Sequence, residues 1–284
     1  MAVVYALISA LCWTAASQLY ACVTRTLNVR RVNFIKAVIS LMLFGLLSWF
    51  CFPSQVLNNK TILLLSVSGI FGFALGDLFL FYAFSKIGPA RTLMLNGFGP
   101  AIIAAVSFLL FNESFPQKKI IGLFLMIACL ALLSREKKCS TEANKKILLI
   151  GLAGIFLDAI GVALTKHAFT VTQSLNPSQA NYHRILAALP VLAFAYWQHD
   201  AAPRGKVTKR EILILGSAIF LGTFLALFCY LKALSLENAA IVASITLSAP
   251  VFSSIYEHIR DRRWPNQHFV GALGLMLCAV WILV

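Results

Sequence analysis

The sequence is poor in charge, and poorest in negative charge: 10 Asp and Glu stand against 24 Lys and Arg in 284 residues. Charged residues make up 12%, half of the roughly 25% usual in soluble domains, while apolar residues reach 60%. That balance excludes an ordinary soluble domain. Motifs of common enzyme chemistry are missing as well, with no HExxH, no GxSxG and no Walker-type loop. The seven cysteines form neither CxxC pairs nor clusters with histidine. Six of them (Cys12, Cys22, Cys51, Cys129, Cys229 and Cys278) lie in or at the ends of apolar runs, where a small, polarisable packing residue is the default. No enzyme, metal or cofactor is expected. Met1 is followed directly by AVVYALISALCW, without the basic residues or cleavage site of a secretory signal, so this stretch reads as a first membrane helix.

What the sequence does hold is a series of apolar runs of roughly 18 to 24 residues, each able to cross a hydrocarbon core of about 30 Å as a helix. They fall near 3–22, 33–52, 62–85, 88–111, 117–133, 147–167, 180–197, 211–232, 237–258 and 267–284. The longest polar stretch, SREKKCSTEANKK at 134–146, divides them five and five. Nearly all of the net charge of +14 lies in the short connections, where it orients helices in a bilayer and makes no nucleic-acid surface. Eighteen of the 24 basic residues, Lys36 counted among them, lie in or beside the loops after odd-numbered runs. By the positive-inside rule those loops are cytoplasmic and both termini lie outside.

The chain also repeats itself. At an offset of 150, Gly72, Ala83, Ser85, Ala90 and Pro100 fall on Gly222, Ala233, Ser235, Ala240 and Pro250. At 148, Asn33, Phe34, Lys36 and Trp49 meet Asn181, Tyr182, Arg184 and Trp197; at 149, Phe115, Pro116, Gly122 and Cys129 meet Trp264, Pro265, Gly271 and Cys278. An odd number of spans per unit turns the second unit upside down. The expected fold is therefore an all-α integral membrane protein of ten transmembrane helices, in two inverted five-helix repeats over 1–134 and 147–284 with a basic linker at 135–146. Inverted repeats are a transporter signature, with the site near the midplane between them.

With the runs placed, the pattern GD…FYAFSKIGPAR…P…FNESF at 76–115 and its weaker copy YLKALSLENAAIVASITLSAP at 230–250 resemble the EamA-like family of the drug/metabolite transporter superfamily. The resemblance covers essentially the whole chain. It implies ten helices, a central cavity lined mainly by helices 1–4 and 6–9, helices 5 and 10 set aside, and export or exchange of small metabolites. It also implies both termini in the cytoplasm, opposite to the Lys/Arg count. The second copy departs from the first at Glu113, whose register lands on Arg262.

Candidate residues follow from the cost of polar groups at membrane depth. Asp77 lies about fifteen residues into the third run, where an ionised acid costs roughly 2.5–3.5 kcal/mol on insertion scales unless it faces protein or water. It is read as a proton- or substrate-binding carboxylate; the alternative is an acid that holds the bundle together. Asp158, in GIFLDAIG, repeats the situation in the sixth run, with Thr14 as its approximate partner in the first. Pro100 and Pro250 match across the repeats and are read as kinks or gates, because a proline inside a helix removes a backbone hydrogen bond. Gly97 and Gly99 adjoin the first, and Asn96 or Thr246 can satisfy the freed groups. Tyr82 is a candidate cavity aromatic. Lys36, Arg184 and Lys232 are candidate anion contacts, against the default that long basic chains near helix ends reach out to headgroups. A stripe of Gly69, Gly72, Gly76 and Ala83 on the third run reads as a packing face.

The expected function is a secondary transporter, an exporter or exchanger of small organic metabolites such as amino acids or drug-like compounds, working by alternating access with proton coupling as a candidate. Its expected place is the cell (inner) membrane, multi-pass, as monomer or homodimer; no nucleic acid is involved. A flippase for lipid-linked substrates is the nearer rival, and a lipid-open groove would favour it. An intramembrane aspartyl protease also uses two buried aspartates, but the sequence reads Ala74-Leu75-Gly76-Asp77 in place of GxGD.

Overall fold

The structure is a computed structural model, and it describes the chain apart from residues 25, 51–55, 88–91, 93–94, 113–116, 137–144, 199–207, 262–266 and 284. Most of the linker, the turn after Ile87, Arg91, Glu113 and Arg262 thus lie outside the described residues. Among those described, the regular structure is helical throughout and no strand occurs.

Helices α1 (Ala2–Val23) and α2 (Val29–Phe50) contain no acid, and each is about 33 Å long at 1.5 Å per residue. The third rod is composite: α3 (Asn59–Ser68), a π-helical stretch at Gly69–Gly76, and α4 (Asp77–Ile87). A 3-10 turn at Asn96–Phe98 leads into α5 (Gly99–Phe111), and α6 (Gln117–Glu136) follows. Beyond the linker come α7 (Lys145–Val171) and α8 (Pro177–Trp197). A second composite rod joins α9 (Lys209–Ala218), a π-helical stretch at Ile219–Leu225, and α10 (Ala226–Leu236). Then α11 (Ala239–Thr246), a two-residue turn, α12 (Ala249–Asp261) and α13 (Gln267–Leu283) complete the chain.

Six helical stretches among the described residues are long and apolar enough to cross a membrane: Ala2–Val23, Val29–Phe50, Asn59–Lys86, Lys146–Val171, Lys209–Leu236 and Ala239–Tyr256. Shorter apolar helices cover Asn96–Phe111, Ile120–Cys129 and Gln267–Ile282. Polar caps start several of them. Asn58 accepts from the Thr61 amide at 2.7 Å, Asn176 from the Gln179 amide at 2.8 Å, and Thr208 forms a reciprocal capping box with Glu211.

Close approach of helices depends on missing side chains. Across the first π-helical stretch, a Cβ at Gly69 would overlap the Arg184 carbonyl, and one at Gly161 would come within 3.0 Å of the Gly72 Cα. Gly76 and Gly154 meet in the same way, with the Gly76 carbonyl 3.0 Å from where a Gly154 Cβ would stand. The stripe read from the sequence is thus a packing face, against α7 and α8. Helices α6 and α13 pack chiefly on one another, and the buried Cys129 thiol donates to the Ala272 carbonyl at 3.1 Å.

Candidate functional site

Two polar regions lie inside the helices. The first is a layer of buried charge around the π-helical stretch at Gly69–Gly76. That stretch leaves Asp77 at the first turn of α4, where Lys36 from α2 forms an ion pair with it. The Lys36 side chain is 1% exposed and that of Asp77 20%. The ammonium also sits 4.1 Å from the centroid of Phe73 and 4.7 Å from that of Phe81, so aromatic faces complete its shell. Arg184, matching Lys36 in the other half of the sequence, reaches the same rod from α8. Its Nε donates to Ser68 Oγ at 3.0 Å and its Nη1 to Asn181 Oδ1 at 3.4 Å. Each half therefore sends one cation to the same rod, one on either side of the π-helical stretch.

The second region is a cleft of about 560 Å³, counting the solvent space at its open side. It is lined by Trp13 of α1, Asn96, Pro100 and Ile103, and by Tyr230 of α10, Thr246 of α11 and Pro250 of α12. Asp158 of α7 is its charged residue, and the carboxylate makes no hydrogen bond or ion pair to any described residue. Trp13 and Tyr230 meet edge-on, with centroids 6.1 Å apart and planes at 63°. The two regions touch at Gly72, where an added Cβ would stand 3.3 Å from Asp158 Oδ1 and 3.4 Å from Arg184 Nη2.

The sequence candidates divide between these places. Asp158, Asn96, Thr246, Pro100 and Pro250 come together in the cleft, whereas Asp77, Lys36 and Arg184 belong to the buried layer. Lys36 and Arg184 do not reach for headgroups, and Lys36 is no loop charge; each is held inside by partners that compensate its burial. Thr14 is buried, and its hydroxyl lies 2.8 Å from the Ala10 carbonyl and 3.0 Å from that of Ala249, joining α1 to the start of α12. Tyr82 is 39% exposed, with the Lys86 ammonium 5.9 Å from its ring centroid, and does not line the cleft. Neither do Lys232, Gly97 and Gly99.

The prolines differ from the expectation of a bend inside a continuous helix. Pro100 opens α5 directly after the 3-10 turn, and Pro250 opens α12 after the turn at Leu247 and Ser248. A proline in the first turn costs no intrahelical bond, since its missing N–H has no partner there. Both positions are therefore breaks between helical segments, and both breaks face the cleft. Sequence reasoning missed Trp13. Nothing in its surroundings distinguishes it from a packing aromatic until α1 and α10 are placed side by side.

A model of the EamA-like transporter family matches residues 1–135 and again residues 145–284. The chain belongs to that family. An uncharacterized transporter of Archaeoglobus fulgidus is 20% identical over 283 residues, covering 99% of this chain and 97% of the relative. A solved crystal structure superposes with a TM-score of 0.78 over 99% of this chain and 95% of the other, at 14% identity, which establishes likeness of fold. With its apolar helices, this EamA-like protein is a multi-pass membrane transporter. The resemblance carried by the pattern at 76–115 is thereby upheld.

Proposed function

We propose that this EamA-like protein is a secondary carrier that moves a small organic solute through the cleft by alternating access. In this reading ten spans form two inverted five-span units, 1–134 and 147–284, joined by the segment 135–146. Matching irregularities support it: π-helical stretches at Gly69–Gly76 and Ile219–Leu225, and helix breaks before Pro100 and before Pro250. Inverted halves can exchange conformations, giving two states of similar energy that open to opposite sides.

The observation that carries the reading is the unpaired carboxylate of Asp158 in a cleft bordered by both helix breaks. Broken helices beside a polar cavity are where carriers bind cargo, because freed backbone groups are tolerated only there. Asp158 is assigned to substrate or proton binding, with Asn96 and Thr246 as neutral contacts. Asp77 is assigned to holding Lys36. A protease dyad needs two acids that share a proton, and Asp77 is occupied by its cation. Export or exchange across the inner cell membrane, by a monomer or homodimer, completes the proposal.

Thermal stabilisation of the purified protein across a panel of amino acids, amines, phosphorylated metabolites and nucleotide-sugars tests it. A ligand at a hundredfold excess over its Kd adds about 2.7 kcal/mol of stability. The expected result is a hit that disappears in Asp158→Asn, with the same compound exchanged by proteoliposomes. A hit that Asp158→Asn leaves intact would move the site elsewhere.

A further inference from the structure

The cleft is one-sided in its chemistry, and that narrows its cargo. Its charged lining group is a carboxylate without a hydrogen bond to any described residue. Thr246 uses its hydroxyl proton on the Ala243 carbonyl at 2.8 Å, so its oxygen has only lone pairs left to offer. At the helix starts that border the cleft, normally good anion sites, fewer free donors are left. Pro100 and Pro250 carry no N–H, and the next two amides of α12, on Val251 and Phe252, both donate to the Ser248 carbonyl at 3.0 Å. Of the nearby cations, Lys36 is bound to Asp77, and Arg184, which does not line the cleft, donates to Ser68 and Asn181 while its Nη2 stands across Gly72 from Asp158. What remains is one formal charge, the Asp158 carboxylate, beside neutral Asn96 and Thr246 and the rings of Trp13 and Tyr230, whose faces carry partial negative charge and attract cations.

Resting on the carrier reading above, we infer that the cleft takes organic cations, with an ammonium group against Asp158 and an aromatic or apolar body against Trp13 and Tyr230. An N–H donor on the ligand would satisfy the carboxylate and the Thr246 oxygen together. A carboxylate or phosphate ligand would meet the like charge of Asp158 and would be disfavoured.

Isothermal titration of the purified full-length protein with three ligands of similar shape tests this: 2-phenylethylammonium, the neutral 3-phenyl-1-propanol and the anionic 3-phenylpropionate. The amine is expected to bind at least tenfold tighter than either analogue. In Asp158→Asn that preference should shrink to within twofold, while affinity for the alcohol changes less than twofold. Trp13→Leu should weaken amine and alcohol alike, which places both in the cleft. Binding of the acid as tight as that of the amine, or a preference that survives Asp158→Asn, overturns the inference. If the acid binds and Trp13→Leu weakens it, the cation assignment falls and the cleft remains the site. Failure of all three to bind also overturns the cation assignment, while the carrier reading stands or falls on the wider panel and on exchange in proteoliposomes.

Discussion

Asp77 and Asp158 are the same side chain in the same kind of place, deep in an apolar helix, yet Asp77 is closed by Lys36 whereas Asp158 faces a cleft without a hydrogen bond. The cost of an acid at membrane depth applies to both. The two acids meet it in different surroundings, a buried counter-charge in one case and the lining of a cleft in the other. Position in a hydropathy profile cannot separate an acid paired with a cation from one that lines a cleft; the neighbours do. The cations repeat the point, since Lys36 and Arg184 match in sequence but one holds a carboxylate and the other a serine and an asparagine.

The contrast can be broken or sharpened by substitution. The largest loss is expected from Gly69→Ala, whose Cβ would overlap the Arg184 backbone and force α8 off the composite rod that both regions share. We expect destabilisation above about 4 kcal/mol, or no folded protein, in detergent unfolding titrations. Lys36→Met should cost about 3–5 kcal/mol, because it strands Asp77. The double change Lys36→Met with Asp77→Leu should recover most of that stability, and ligand binding should return with it. Ligand binding that remains absent in a folded double variant would make the pair part of the binding machinery and erase the contrast.

Asp158→Asn should do the reverse, lowering ligand affinity tenfold or more while the unfolding free energy moves by less than about 1 kcal/mol. A smaller effect is expected from Thr14→Val, which removes the contact with the Ala249 carbonyl. Interhelical hydrogen bonds in membranes average about 0.6 kcal/mol, and an unfolding titration of that precision checks it. Of comparable size and opposite sign is Gly216→Ala in α9, where nothing lies within 4 Å of the added Cβ. There the better helix propensity of alanine should stabilise by up to about 1 kcal/mol.

Much of the fold was legible because membrane depth forces a simple code. Backbone polar groups in lipid must bond within the helix, so long apolar runs announce their helices, and the small residues at Gly69, Gly72 and Gly76 announce a close contact. The internal repeat was readable because Lys36 and Arg184, Pro100 and Pro250, and Gly72 and Gly222 kept their spacing. The site was legible in part. Asp158, Asn96, Thr246 and both prolines were named from the sequence, and the cleft gathers all five. Trp13 was not, since an aromatic in an apolar helix gives no sign of the surface it meets. The prolines announced irregular helices but not that both irregularities border one cavity.

By itself the sequence determined an all-helical membrane protein and showed a spaced repeat of residues along the chain, because hydropathy and spacing are properties of the chain alone. Which acid would be paired with a cation and which would line the cleft was decided only by the tertiary structure. That choice depends on where α2 and α8 deliver their cations relative to the first π-helical stretch, and local sequence does not encode the distance between helices. At Gly72 the two regions come within van der Waals reach, and the packing of that one glycine separates them.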